Sequence, residues 1–262
     1  MLADDASDLD LRARALAIVA REAGGLARRY LASRNALSVR LKGPQDWLTE
    51  ADGAVERLVI DRLGAAFPED RFLGEEQGGE VVDNLWVIDP IDGTANFARG
   101  IAPFAISIAY CRAGQVELGA IYDPLTDELF AARRDGGAYC NDVPIKVRTA
   151  PLPAEAMIDA GYSHRHAFAD YLAIVERLVT AGFAFRQAGS AALGLAQVAA
   201  GRIDGYCELH LFAWDVLAGL LLVREAGGWA SAFPLYKPGD GRAVLACTPA
   251  LAPTLRALTD IG

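Results

Sequence analysis

The sequence has no apolar run long enough to cross a membrane and no segment that resembles a secretory signal. Its longest apolar stretches, such as residues 216–223, reach about eight residues, whereas a membrane-spanning helix needs roughly 20. The amino terminus reads Met-Leu-Ala-Asp-Asp, so it lacks the basic start and apolar core of a signal. We therefore expect a cytoplasmic protein that does not act at a membrane.

Cysteine is scarce, with four residues in 262 and no C-x-x-C pair. Cys111, Cys140, Cys207 and Cys247 lie far apart in the chain, which argues against a disulfide framework or a structural zinc site and favours reduced thiols. A chain of this length buries enough apolar surface to fold without such supports. The apolar fraction of 53% is too high for a disordered chain.

Basic residues are outnumbered, with 25 Lys and Arg against 34 Asp and Glu and a net charge of -9. A nucleic-acid binder needs a basic surface that replaces counterions, so we expect no nucleic-acid partner. The negative charge does not exclude a small anionic ligand, because a local field can oppose the net charge.

The pattern of residues 1–150 predicts two helices followed by a largely antiparallel sheet. The helices are expected at 9–34 and 49–67, the second beginning with a capping box from Thr49 to Asp52. Alternating apolar residues and turn signals predict strands at 71–73, 85–88, 103–112, 115–122, 129–132 and 137–140.

Helix and strand patterns alternate in residues 151–262, as in a layered α/β unit. Strands are expected at 156–160, 183–186, 205–208, 229–232 and 243–246, and helices at 167–181, 190–200, 214–226 and the end of the chain. We therefore expect one unit over 1–262, with subdomains of about 1–150 and 151–262 and the functional site between them.

Acidic residues cluster at the ends of apolar segments in three places. These are Glu75-Glu76, the segment Asp89-Pro90-Ile91-Asp92-Gly93-Thr94, and Asp215 after Trp214. Carboxylates that share a cleft are costly to desolvate and raise one another's pKa. Divalent cations remove both problems, and Mg2+ prefers oxygen ligands. The clusters therefore indicate a magnesium site.

A helix that starts near Gly93 and Thr94 would offer backbone N–H groups to an anion. Metal ions beside such a group of donors describe a phosphate pocket. Two metals about 4 Å apart can activate water and stabilise the leaving oxygen of an in-line displacement.

Each cluster also has a plain structural explanation. The Asp-x-x-Asp-Gly-Thr segment alone fits a turn with a helix cap, and Glu75-Glu76 alone fits a solvated loop. Asp215 alone fits an ordinary N-cap, and Asp52 fits the third residue of a capping box. Their combination in this order favours the functional explanation.

Four motifs together resemble the inositol monophosphatase family, part of the Mg2+-dependent, Li+-sensitive sugar phosphatase superfamily. They are Trp86 to Phe97, Trp214 to Gly219 followed by Glu225 to Gly228, Gly74-Glu75-Glu76, and Lys42 with Asp46, Thr49 and Asp52. The resemblance covers residues 10–250. It implies a layered αβαβα sandwich, with a mixed or antiparallel N-terminal sheet followed by a C-terminal α/β unit, and it implies a homodimer.

The resemblance implies two Mg2+ ions, with a weaker third, and assigns their ligands. Glu75, Asp89 and the carbonyl of Ile91 would bind the first ion. Asp89 would bridge to the second, which Asp92 and Asp215 complete. Glu76 would support these ligands or bind the third ion.

The same resemblance assigns the substrate contacts. Gly93 and Thr94 would hold the phosphate, and Thr94, paired with Asp52 and helped by Glu75, would orient the attacking water. The remaining substrate contacts would come from Asp92, Asp215, Gly189, Ser190, Ala191 and Glu208.

One segment departs from the family pattern. The spacing from Lys42 to Asp46 is one residue shorter than in well-known members, and Trp47 replaces a small aliphatic residue. A role for Lys42 near the phosphate and a solvated loop position both remain open.

The expected function is hydrolysis of a small phosphorylated polyol, above all inositol 1-phosphate. Alternatives in the same superfamily are a 3′-phosphoadenosine 5′-phosphate nucleotidase, a histidinol-phosphate phosphatase and a fructose bisphosphatase. Asn96-Phe97 and Trp214 favour inositol phosphate over histidinol phosphate. A protein-binding regulator is the alternative from another class, although the complete set of acids argues against a loss of catalysis.

Overall fold

The computed structural model describes residues 2–33, 39–43, 46–149, 152–235 and 240–262. The helices in these residues are α1 (Leu2–Ala32), α2 (Glu50–Ala66), α3 (Thr94–Arg99), α4 (Phe168–Thr180), α5 (Ala191–Ala199), α6 (Ala213–Glu225) and α7 (Ala252–Thr259). The strands are β1 (Val39–Gly43), β2 (Asp46–Thr49), β3 (Arg71–Gly74), β4 (Leu85–Asp92), β5 (Ala105–Arg112), β6 (Gln115–Asp123), β7 (Glu128–Arg133), β8 (Gly137–Cys140), β9 (Val143–Pro144), β10 (Met157–Ala160), β11 (Ala184–Arg186), β12 (Gly205–Leu211), β13 (Trp229–Ala230) and β14 (Arg242–Cys247).

The strands form two large sheets and one small hairpin. A seven-stranded sheet runs in sequence order from β3 to β9, with β3 and β4 parallel and the other pairs antiparallel. A five-stranded sheet has the order β11-β10-β12-β14-β13, and β10 is parallel to both its neighbours. Strands β1 and β2 pair with each other; this hairpin was not predicted.

The helices complete a five-layer sandwich. Helices α1 and α2 pack on the outer face of the seven-stranded sheet, and α4 and α7 pack on the outer face of the five-stranded sheet. Helices α5 and α6 lie between the sheets. Helix α6 suits this central layer because its residues from Val216 to Val223 are all buried, as expected of a helix that is apolar on every side. The predicted αβαβα architecture is confirmed.

Three further points concern the chain as a whole. In the described part of the chain, no helix is both long and apolar enough to cross a membrane. The four cysteines are free thiols, three of them buried. The subdomain boundary near residue 150 stays a prediction, because residues 150 and 151 lie outside the described part of the chain.

Candidate active site

Strand β4 carries both aspartates of the Asp-Pro-Ile-Asp segment and is buried along its whole length. Its pairing with β5 shifts between Asp89 and Asp92, where Pro90 has no N–H to give to the ladder. Asp89 accepts a hydrogen bond from the Ile91 N–H at 3.0 Å. The end of β4 thus places two carboxylates three residues apart beside an irregular stretch of sheet.

Helix α3 follows directly and begins at Thr94. Gly93 has a φ of 94°, a left-handed conformation that favours glycine. The Thr94 hydroxyl oxygen lies 2.9 Å from the Ile91 carbonyl oxygen and 3.3 Å from Asp52 Oδ1. The fold therefore brings Thr94, Ile91 and Asp52 together, while their roles in catalysis stay predictions.

Asp52 reaches this place from the first turn of α2. Its Oδ2 accepts hydrogen bonds from the Thr49 N–H at 2.8 Å and the Thr49 hydroxyl at 2.6 Å. Burial raises the pKa of Asp52 to about 6, although the bonds from Thr49 act to lower it. The capping box and the site contact coexist, because one carboxyl oxygen caps the helix and the other faces Thr94.

The loop after β3 carries Glu75 and Glu76, and a buried carboxylate of α2 shapes it. Glu56 accepts hydrogen bonds from the backbone N–H groups of Glu76 at 2.9 Å and Gln77 at 3.0 Å. Gly74 leaves room for Glu56, because a Cβ there would lie 2.2 Å from Glu56 Oε1. The Glu75 N–H donates to a carbonyl of β4 at 3.2 Å, which keeps this loop against the strand that carries Asp89.

Asp215 comes from the start of the central helix α6. It is the third residue of that helix rather than its N-cap. Its Oδ2 accepts a hydrogen bond from the Phe212 N–H at 2.7 Å. This bond is the backward half of a capping box, and it fixes the carboxylate at the helix start.

The carboxylates of the cleft raise one another's pKa. Burial raises the pKa of Asp89 and of Asp215 well above the ordinary value, and among charged neighbours Glu75 raises both most. Burial also raises the pKa of Asp92 to about 6, while hydrogen bonds from Ser190 and backbone N–H groups of α5 lower it. Like charges held together in a dry cleft are unfavourable, so a bound cation would relieve the repulsion.

The donor set fits a hard divalent cation by atom type and by charge. Carboxylate and carbonyl oxygens suit Mg2+ or Ca2+ rather than zinc. Among the described residues, no three His, Cys, Asp or Glu side chains stand close enough around one point to hold an ion together. The oxygens of Asp92 accept hydrogen bonds from the Ser190 hydroxyl and from the N–H groups of Ala191 (3.1 Å) and Ala192 (3.0 Å).

A cavity of about 180 Å³ opens between Asp92 and Asp215 on one side and the five-stranded sheet on the other. Its other lining residues include Asp159, Gly161, Tyr162, Gly189, Ser190, Ala191, Tyr206 and Glu208. Burial raises the pKa of Glu208 to about 7, and the Tyr206 hydroxyl donates to Glu208 Oε2 at 2.6 Å. This end of the cleft offers acidic and hydroxyl groups to a ligand.

Comparison with known proteins identifies the family. The sequence matches the model of the inositol monophosphatase family over residues 8–254. The chain belongs to this family. It is 44% identical over 202 residues to an inositol-1-monophosphatase of Rhizobium meliloti (strain 1021), covering 74% of this chain and 75% of the relative. It is also 40% identical over 219 residues to the Nus factor SuhB of Escherichia coli (strain K12), covering 82% of each chain.

Solved structures agree with this assignment. The crystal structure of extragenic suppressor protein suhB from Bartonella henselae superposes with a TM-score of 0.88 at 34% identity, covering 95% of this chain and 98% of the other. The inositol monophosphatase from Anabaena sp. PCC 7120 superposes with a TM-score of 0.83 at 33% identity, covering 97% and 98%. As an inositol monophosphatase family member, the chain is a phosphoric monoester hydrolase.

The fold of this family member brings six of the predicted site residues to one cavity and others close to it. Asp92, Gly189, Ser190, Ala191, Glu208 and Asp215 line the cavity, and the charges of Glu75 and Asp52 act on Asp89 beside it. The charge of Glu76 raises the pKa of Asp52. The side chains of Lys42, Asp46 and Trp47 lie outside the described part of the chain.

Sequence reasoning missed three residues that shape this cleft. Glu56 has a weak signal, because it lies one helical turn after Asp52 on the buried face of α2. Asp159 is a lone acid in an apolar strand, a pattern that indicates a buried partner. Asn96 belongs to the family motif, but its hydrogen bond to the Ala188 carbonyl joins residues that are distant in the sequence.

Proposed function

We propose that this phosphatase hydrolyses inositol 1-phosphate, or a polyol phosphate of similar size, with Mg2+ as the cofactor. The observation that carries the proposal is a small cleft with two acidic ends. One end holds the mutually repelling Asp89, Asp92 and Asp215, and the other holds Glu208 and Tyr206. Carboxylate and tyrosine oxygens suit the hydroxyl groups of a polyol, because each hydroxyl can donate to them.

The first end supplies the ligands of the cation. Glu75, Asp89 and the Ile91 carbonyl would hold one Mg2+; Asp89, Asp92 and Asp215 would hold the second; and Glu76 would serve a weaker third. When bound, Mg2+ supplies the positive charge that attracts the phosphate and activates water.

The chain's own groups then orient the reactants. The backbone at Gly93 and Thr94 would hold phosphate oxygens, and the Thr94 hydroxyl would align the attacking water. Asp52 Oδ1, which lies 3.3 Å from that hydroxyl, would take up the proton that the attacking water loses, with Glu75 in support. Glu208, Gly189, Ser190 and Ala191 would hold the alcohol as it leaves.

Family membership also leads us to propose a homodimer, inhibition by Li+, and one folding unit with two subdomains that meet at the cleft. Size-exclusion chromatography with light scattering tests the dimer. A Li+ titration at fixed Mg2+ tests the inhibition.

The direct test is phosphate release from a substrate panel with and without Mg2+. The panel holds inositol 1-phosphate, 3′-phosphoadenosine 5′-phosphate, histidinol phosphate and fructose 1,6-bisphosphate, ranked by kcat/KM. We expect inositol 1-phosphate to rank first and turnover to stop when EDTA removes the metal. Turnover that persists in EDTA would overturn the metal assignment, and another substrate in first place would overturn the substrate.

A protein-binding role is a second candidate because one similar protein is a Nus factor, SuhB of E. coli (strain K12). A pull-down with the wild type and with a catalytically inactive variant tests it. Equal recovery of one stoichiometric partner by both proteins would support binding that does not depend on catalysis. Recovery of no such partner by either protein would argue against this second candidate.

A further inference from the structure

Two side chains outside the predicted site hold Ala188 from opposite sides of the cleft. Asn96 Nδ2 in α3 donates to the Ala188 carbonyl oxygen at 3.0 Å. Asp159 Oδ1 in β10 accepts a hydrogen bond from the Ala188 N–H at 3.2 Å. The Asp159 side chain is only 3% exposed and lies 3.4 Å from Arg186 Nε. One residue is therefore fastened to both halves of the chain.

The Asn96 amide makes a second hydrogen bond beside this contact. Its Nδ2 group also donates to the Pro103 carbonyl oxygen at 2.8 Å. An amide nitrogen has two hydrogens, and here both are used, one on each side of the cleft. A hydrogen-bonded connection thus runs from the start of α3 to the segment before α5.

The held segment leads directly into the wall of the cleft. Gly189, with a φ of 79°, precedes Ser190, which is the N-cap of α5 and donates from its hydroxyl to Asp92. Gly93 packs against the same segment, because a Cβ on it would lie 3.0 Å from the Gly189 carbonyl oxygen. The proposed phosphate contact at Gly93 and the proposed alcohol contact at Gly189 are therefore in direct contact.

We propose that Asn96 and Asp159 are positioning residues that set the spacing between the phosphate end and the alcohol end of the cleft. This inference rests on the proposed function, because that function places the two ends of the substrate at Gly93 and at Gly189 to Glu208. A displacement of about 1 Å between binding groups can cost on the order of 100-fold in rate. The full loss of rate is expected only for a substrate that contacts both ends of the cleft.

A substrate that engages only the phosphate end should be less affected. p-Nitrophenyl phosphate is such a probe, because its aromatic leaving group has no hydroxyl groups for Glu208. Inorganic phosphate, measured as a competitive inhibitor, is a second probe of that end alone. The ratio between inositol 1-phosphate and these probes therefore reports the spacing and not the general integrity of the site.

The test uses the Mg2+-loaded full chain with Asn96→Ala and Asp159→Ala. We expect kcat/KM for inositol 1-phosphate to fall on the order of 10- to 100-fold, with a share of the loss in kcat. For p-nitrophenyl phosphate we expect a loss of about threefold or less, with a similarly small change in phosphate inhibition. Asp159→Asn keeps an oxygen acceptor for the Ala188 N–H, so it should restore most of the ratio.

Asn141→Ala is the matched control. Asn141 also donates from Nδ2 to a backbone carbonyl, that of Asp127 at 2.9 Å, but it lies between β8 and β9 at the other edge of the seven-stranded sheet. We expect no change of ratio there. Near-UV circular dichroism checks folding. If either Asn96→Ala or Asp159→Ala does not fold, the other variant still tests the inference.

If kcat/KM falls by the same factor for inositol 1-phosphate and for p-nitrophenyl phosphate in the folded Asn96→Ala and Asp159→Ala variants, the inference is overturned. Since both residues hold Ala188, the double variant should lose less kcat/KM for inositol 1-phosphate than the two single losses combined. Full additivity would contradict a shared action through Ala188. If the wild type does not turn over inositol 1-phosphate, the proposed function fails. The ratio is then measured with whichever panel substrate ranks first.

Discussion

At the scale of single residues, the cleft gathers acids whose burial is unfavourable for the protein alone. Asp89 is 2% exposed, and the strongest charged influences on it are other carboxylates, led by Glu75. A buried carboxylate with such neighbours gains from a bound cation. Removal of the charge of one acid should therefore lower activity without lowering the stability of the metal-free protein.

Asp89→Asn should abolish phosphatase activity and leave the fold intact. The amide keeps the shape and an acceptor for the Ile91 N–H, but it lacks the charge that a bridging ligand supplies. We expect kcat to fall by about 1,000-fold or more, with unchanged or higher melting temperature without metal. Phosphate-release assays and thermal unfolding measure the two effects. Retained turnover would contradict the assignment of Asp89 as a ligand.

Residues of the cleft differed in how visible they were in the sequence. Asp89, Asp92 and Asp215 stand in short motifs at the ends of apolar segments, so their grouping could be predicted locally. Glu56 and Asp159 act through hydrogen bonds to backbone groups 20 or more residues away. Such partners follow from the fold and leave no local pattern.

At the scale of elements, α2 serves two parts of the cleft from one face. Asp52 and Glu56 lie one turn apart, and both are completely buried. The first contacts Thr94 at the start of α3, and the second holds the loop of Glu75 and Glu76. A single helix therefore aligns the proposed proton acceptor with a proposed metal ligand.

Glu56→Ala should loosen that loop. Loss of the acceptor for two backbone N–H groups should lower the free energy of unfolding by about 1 to 3 kcal/mol. The Mg2+ concentration for half-maximal activity should rise about 10- to 100-fold, because groups behind the ligands orient them.

Glu22→Ala is the control for that change, since Glu22 forms an exposed ion pair with Arg62 and should contribute at most about 1 kcal/mol. Chemical denaturation and a Mg2+ titration give both readouts. An unchanged Mg2+ requirement in Glu56→Ala would show that Glu56 supports the fold alone.

Helix α1 depends on one buried arginine. Arg12 forms two hydrogen bonds with Asp70, at 3.0 and 2.9 Å, and its guanidinium lies over the rings of Phe67 and Tyr110. Trp86 Nε1 donates to the same carboxylate at 2.9 Å. This cluster ties α1 to the seven-stranded sheet.

Arg12→Ala should lower the free energy of unfolding by about 3 to 5 kcal/mol, because it leaves Asp70 buried without its cation. Arg14→Ala, two residues away on the exposed side of the helix, should change it by about 0.5 kcal/mol or less. Urea denaturation of the two variants checks the difference. Equal losses would mean that the helix is held elsewhere.

At the scale of the whole molecule, the order of helices and strands was largely predictable, but the extent of some elements was not. Strand β4 was expected to end at Ile88, yet it continues to Asp92 because β5 still pairs with it beyond the irregularity. Strand β12 likewise runs to Leu211 because β14 accompanies it. Pairing between distant segments sets these ends, and a local pattern does not contain it.

The stability of the metal-free protein should fall as pH rises from about 4.5 to 7. A carboxyl whose pKa is higher in the folded protein than in the unfolded chain binds more protons when folded, so stability drops between the two pKa values. Burial raises the pKa of Glu208 from 4.5 to about 7 and that of Asp52 from 3.8 to about 6. The Glu208 contribution is on the order of a few kcal/mol.

Glu208→Gln tests this because it removes one titrating group and keeps its shape. The free energy of unfolding in EDTA, measured across this pH range, should fall less steeply in the variant than in the wild type. Equal slopes in the two proteins would contradict a raised pKa at Glu208.

The central position of α6 has a consequence for the order in which the protein becomes active. This helix is apolar on every side and carries Asp215 in its first turn, so it gains its stability from both sheets at once. All strands of the seven-stranded sheet precede α6 in the chain, but α6 lacks its contacts with β13 and β14 until those strands have been made. We therefore expect Asp215 to reach its final position in the cleft only when synthesis is nearly complete.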